Sequence, residues 1–174
     1  RRLRSQGELP LAISAAAGIK EISLPVNVDL PMPASIPAGY VPEKNLRLRL
    51  YRRIADVRSM EQINALKEEF NDRFGAPPEE VQNLFFQLKI KLLAEKAGLA
   101  SVGSENEQLV LRFPDGEVPA HLPSLGAGVR IGKTALWIPY PTLSDWRNFL
   151  VEILERLNQE TPQPNPEPSD ETVA

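Results

Sequence analysis

Gly132-Lys133-Thr134 has the composition of the closing residues of a phosphate-binding loop, where glycine amides and a lysine cradle phosphate oxygens. That loop needs a glycine five residues before the second glycine, flanked by a strand before and a helix after. Here the position is Ala127, and Trp137 and Ile138 continue the segment as a strand, so a hairpin turn is the expectation. His121 is the only histidine, and a histidine acts as a base only with a partner and an orienting group. Leu122, Pro123 and Leu125 around it predict a helix start or a surface position. Neither an H-E-x-x-H motif nor a glycine-flanked serine elbow occurs. The chain lacks cysteine, which removes disulfides, thiolate metal sites and thiol nucleophiles. No catalytic residue, no metal ligand set and no cofactor is expected, and the chain reads as non-enzymatic.

Two charged groupings remain. Arg47, Arg49, Arg52, Arg53 and Arg58 make a first helix basic, and Arg49, Arg52 and Arg53 fall at spacings that share one helical face. Such a patch contacts phosphate or an acidic partner, or it is a solvated face whose stems cover apolar surface. The net charge of −3 weighs against a dedicated nucleic-acid binder, which carries a sustained basic balance. Glu69, Asp72 and Arg73 form the second grouping. Glu69 and Asp72 lie on one side of a helix and could be an acidic docking edge. Glu69 and Arg73, in the favourable i, i+4 order, could equally be an internal ion pair. An acid in a last helical turn opposes the helix dipole, which singles out Asp72. It either meets something outside the helix or bonds a neighbouring backbone group and holds the turn.

The elements that would position these groups are legible from periodicity. Residues 19–27 alternate through Ile22, Leu24 and Val26 as a strand with one buried face, and Pro25 predicts an edge position. Pro31, Pro33 and Pro37 then keep the chain extended to Tyr40. A first helix starts near Pro42 or Glu43 and buries Leu46, Leu50, Ile54 and Val57, with Tyr51 beside them. Ser59 and Gln62 have capping-box spacing for a second helix, whose stripe is Ile63, Leu66, Phe70 and Phe74, with Gly75 ending it. Pro77 and Pro78 open a third, burying Val81, Leu84, Phe85, Leu88, Leu92 and Ala97 before Gly98. A strand over residues 108–113 precedes the turn Pro114-Asp115-Gly116. A hairpin is expected from residues 129–131 and 134–140 around Gly132-Lys133. A last helix buries Trp146, Phe149, Leu150, Ile153, Leu154 and Leu157. The fold class is α+β: three consecutive helices, then a small, mainly antiparallel sheet and a C-terminal helix.

The 174 residues suit a single domain, which at this size buries roughly two-thirds of its surface. Residues 1–18 read as a linker or chain end, 19–157 as one domain, and 158–174 as a disordered tail rich in proline and acid. The first residue is Arg1 and no signal peptide is seen, so the chain reads as a piece of a longer polypeptide. No apolar run reaches the ~20 residues that span a bilayer, and a reducing cytoplasm is the expected location.

Several segments carry a resemblance through their order and spacing: Ile36-Pro37, Tyr40, Arg47-Leu48, Leu50-Tyr51-Arg52-Arg53, Asp72-Arg73-Phe74-Gly75 and Pro78. Over residues 22–113 the chain resembles the C-terminal domain of the bacterial transcription-repair coupling factors, the Mfd-type DNA translocases. Residues 9–18, unusually rich in alanine, depart from that pattern. The resemblance implies a regulatory module of an ATP-driven translocase whose ATPase motifs lie in other domains. That parent releases RNA polymerase stalled at DNA lesions. The module would dock on a UvrB-like N-terminal module and cover the surface that recruits the repair ATPase UvrA. The family's docking acids map onto Glu69 and Asp72, with Arg73 a third contributor. The residues leave a DNA contact through Arg49, Arg52 and Arg53 as the alternative, and a structural spacer as a third reading.

Overall fold

Short connections with strong stop signals set the helical half of the computed structural model, which describes residues 26–139 and 145–159. Helix α1 (Lys44–Ala55) buries Leu50 and Ile54. Helix α2 (Met60–Phe74) starts at Ser59, whose hydroxyl accepts from the Gln62 amide, and stops at Gly75, where φ is 84°. The capping box is displaced by one residue: the Gln62 side chain accepts from the Arg58 amide at 2.7 Å rather than from that of Ser59. Pro78 then caps α3 (Glu79–Lys96).

Helix α3 joins two cores. Val81, Phe85 and Leu88 pack with Leu50, Ile54, Ile63, Leu66 and Phe70 of the first two helices. Ile90 and Ala94 pack against the sheet and the last helix. A single buried stripe was the expectation for α3. Two stripes are buried instead, so Ile90, Ala94 and Asn83 are inside, while Leu84, Leu92 and Ala97 are only half-buried. The Asn83 amide donates to the Pro33 carbonyl at 2.9 Å, tying the proline arm to this helix.

The sheet has five strands in the order β1-β2-β3-β5-β4. These are β1 (Asn27–Val28), β2 (Ser101–Glu105), β3 (Gln108–Arg112), β4 (Arg130–Ile131) and β5 (Ala135–Pro139). β1 is a parallel edge strand on β2, and every other pairing is antiparallel. The rest of the expected strand over residues 19–27 lies outside the described residues. Gly132 and Lys133 sit in the turn of the β4–β5 hairpin, not in a phosphate loop. A Cβ on Gly132 would come within 2.3 Å of the Trp137 ring, so any larger residue would have to displace that ring. His121 is exposed in a loop rather than at a helix start. Helix α4 (Trp146–Gln159) buries Leu150, Ile153, Leu154 and Leu157. It includes Asn158, whose side-chain amide donates to the Leu93 carbonyl, and residues 160–174 of the expected tail lie outside the described residues.

β2 was not expected. Its sequence Ser-Val-Gly-Ser-Glu has one strong strand former, and the turn to β3 lacks glycine. Asn106 and Glu107 both take positive φ, 49° and 61°, as a two-residue hairpin turn demands. Glutamate is poorly suited to that region. Glu107→Gly should therefore raise the unfolding free energy by ~0.5–1 kcal/mol in urea titration; an unchanged or lowered midpoint would contradict this account of the turn.

Candidate docking interface

The C-terminal end of α2 is held from below. Phe70 is fully buried, with its ring 5.7 Å from Phe74 and 5.2 Å from Phe85, both edge-on. Tyr40, at the end of the proline arm, lies across the same point. Its hydroxyl sits 3.0 Å from the Phe70 carbonyl and 2.8 Å from that of Gly75, and shares its one proton between them. The Gly75 carbonyl lies past the last helical bond, so the phenol satisfies a group that would otherwise face water. Burial raises the Tyr40 pKa above the ordinary phenol value.

Glu69, Asp72 and Arg73 stand on this fixed helix end in different states. Glu69 is engaged: Arg53 of α1 donates to both of its carboxylate oxygens, at 2.7 and 2.6 Å, and Arg73 donates to Oε1 at 2.7 Å. The Arg73 guanidinium also lies 5.0 Å from the centre of the Phe74 ring. Asp72 is exposed and makes no hydrogen bond or ion pair among the described residues. It does not hold the turn, a task that Tyr40 performs instead. Glu68 is likewise exposed and unpaired, one helical turn before Asp72. The free acidic pair on α2 is thus Glu68 and Asp72, and sequence reasoning missed Glu68 because Glu69 has the same charge and a better spacing to Arg73.

The basic grouping divides in the same way. Arg49 and Arg52 are exposed and unpaired among the described residues. Arg53 belongs to the Glu69 cluster, and Arg47 donates to the Val41 and Pro42 carbonyls at 2.7 and 2.8 Å, fixing the entry to α1. Arg58 lies beyond α1 and donates to the Ala55 and Val57 carbonyls. Two groupings that the sequence presents as separate are therefore joined through Arg53 and Glu69. No spacing rule reports that contact, since the partners are sixteen residues apart on different helices. A shallow cleft of about 320 Å³ runs beside this pair, lined by Asp56, Val57, Gln62, Ala65 and Leu66 as well.

Hydrogen bonds from Arg53, then from Arg73, lower the Glu69 pKa from 4.5 to about 2. The folded state thus binds fewer protons than the unfolded chain between these values, and stability falls as the pH falls through that window. The contribution is complete above about pH 4.5 and is lost on protonation near pH 2. With Arg53 and Arg73 about half exposed, the pairs are worth about 1 kcal/mol at most. Across this window Glu69→Gln should flatten the acid limb of the melting-temperature profile. A profile parallel to that of the unaltered chain would contradict the assignment.

Among the described residues no His/Cys/Asp/Glu grouping could hold a metal ion, and no helix is long and apolar enough to cross a membrane. The fold and the surface define an α+β domain with a charged helix end as its candidate interface. Comparison with known proteins then places it. The TRCF domain family matches residues 30–121, more than half of the 174, and the chain belongs to that family. The transcription-repair-coupling factor of Buchnera aphidicola is 32% identical over 96 residues, 55% of this chain and 12% of the relative. That of Mycobacterium tuberculosis is 31% identical over 121 residues, 67% of this chain and 10% of the relative. That of Escherichia coli is 30% identical over 88 residues, 51% of this chain and 8% of the relative. The chain therefore spans only about a tenth of such relatives. A crystal structure of a C-terminal domain of transcription-repair coupling factor shares the fold, with a TM-score of 0.63 and 21% identity over 77% of this chain and 93% of that one.

Proposed function

We propose that this chain is a non-catalytic, autoinhibitory docking domain of a bacterial transcription-repair coupling factor. In this reading the α2 end, with Asp72 foremost and Glu69 and Arg73 beside it, docks on a basic surface of the parent's UvrB-like N-terminal module. Docking covers the surface that recruits UvrA, and undocking exposes it. The parent would be a cytoplasmic, ATP-driven DNA translocase acting on stalled RNA polymerase, with its ATPase elsewhere in the polypeptide.

One observation carries the reading. Asp72 is an exposed carboxylate without an internal partner, in a helix turn where its charge is unfavourable, on a backbone that Tyr40 and Phe70 hold in place. Charge kept where it costs local stability points to a contact outside the domain. A tethered domain needs only a weak contact, because the tether supplies a high effective concentration. DNA binding by α1 has less support, since Arg53 is occupied by Glu69 and only Arg49 and Arg52 of that face stay free. The test is capture of UvrA by the parent protein with and without Asp72→Lys. Increased capture by the variant is expected; equal capture, with the domain shown folded, contradicts an autoinhibitory dock.

A further inference from the structure

We infer that Arg53 is a built-in competitor for Glu69, holding that carboxylate out of any forked external pair until a partner cation displaces it. This rests on the docking reading for its biological role, but not for its chemistry.

Three donated bonds take both acceptor sites of Oε1 and one of Oε2, so Glu69 cannot accept a second forked cation. Arg53 grips both oxygens in a forked arrangement, and Arg73 adds a second donor on Oε1. Forked guanidinium–carboxylate pairs are among the stronger charge-assisted contacts because both bonds form in one orientation. Arg53 comes from α1, whereas Arg73 and Glu69 share α2, so the clasp spans two helices whose apolar faces are fixed in one core. Glu68 and Asp72 on the same helix have no such partner. A basic surface approaching this edge therefore meets Glu68 and Asp72 at once. It makes a forked pair with Glu69 only by exchanging its own cation for Arg53.

The clasp is nevertheless exchangeable. Arg53 is half exposed, and its guanidinium is anchored by nothing else among the described residues. Released, it would join Arg49 and Arg52 on the exposed side of α1 and present a free cation there. Docking through Glu69 is thus coupled to a change in charge on the neighbouring helix. An exposed carboxylate pre-engaged by a cation of its own chain binds an external cation more weakly, because each new bond is offset by one broken.

The experiment uses two probes on the full chain and on Arg53→Gln, a variant that removes the charge and keeps a polar side chain. The first probe is a hexa-arginine peptide, followed through the carboxyl carbon resonances of Glu69, Glu68 and Asp72. In the unaltered chain Asp72 and Glu68 should respond at lower peptide concentration than Glu69; in Arg53→Gln the Glu69 half-saturation should fall about fivefold, with Asp72 little changed. The second probe is the parent's UvrB-like module, which should bind Arg53→Gln about threefold to fivefold more tightly. A merely structural role for Arg53 predicts no gain with either probe. If Glu69 in the unaltered chain responds as readily as Asp72, or if Arg53→Gln brings no gain with the peptide, the inference is overturned whatever the module does. If the peptide results hold but neither chain binds the module, the competitor stands and the docking reading fails.

Discussion

Phe70→Ala is expected to lower the unfolding free energy by about 3–5 kcal/mol, the range for deleting a fully buried aromatic side chain. Phe70 has no exposure and touches the rings of Tyr40, Phe74 and Phe85, so its loss empties the centre of the helical core. Such a loss is a large share of the ~5–15 kcal/mol that keeps an ordinary domain folded. The effect should not be confined to stability. Phe70 and Tyr40 together fix the last turn of α2, and Asp72 rides on that turn. Urea titration of the variant should show the lowered midpoint. Amide exchange should show loss of protection concentrated at the end of α2, while β3 and β5 retain theirs longer, because those strands belong to the other core. Uniform loss across both halves would contradict the division into two cores bridged by α3.

Asp72→Lys should have opposite effects on folding and on docking. A lysine in the last turn of α2 favours the helix dipole where aspartate opposes it, so the domain should gain about 0.3–0.5 kcal/mol of stability. Docking on a basic surface should weaken about tenfold, or roughly 1.4 kcal/mol. Glu69→Lys lacks this separation. It removes the partner of Arg53 and Arg73 and places a third cation between them, so the fold and the interface are disturbed together. Asp72 is therefore the position at which a charge reversal separates docking from folding. Lowered docking accompanied by lowered stability in Asp72→Lys would mean that Asp72 serves the fold, which the absence of an internal partner does not predict.

The helical half was legible because its signals are local. Ser59, Gly75, Pro78 and Gly98 mark ends, and Leu50, Ile54, Ile63, Leu66 and Phe70 recur at helical spacing. Strands β3 and β5 showed through runs of branched and aromatic residues. β2 did not, since Gly103 and two serines make a strand only when β1 and β3 pair with it on either side. The second stripe of α3 was hidden for a related reason. A helix that bridges two cores is apolar on more than one side, and a search for one face misses Ile90 and Ala94. At the end of α2, the sequence shows one of the two ion pairs of Glu69 and hides the other. Helix spacing reports Glu69 with Arg73, whereas the bond from Arg53 depends on how α1 lies against α2.

The proposed function rests on an electrostatic dock led by Asp72. Calorimetric titration of this chain against the UvrB-like N-terminal module of its parent, at low and at high salt, tests it most directly. Binding should weaken as salt rises and weaken further with Asp72→Lys, in a chain that melts no lower than the original. Binding indifferent to both salt and Asp72→Lys would contradict it.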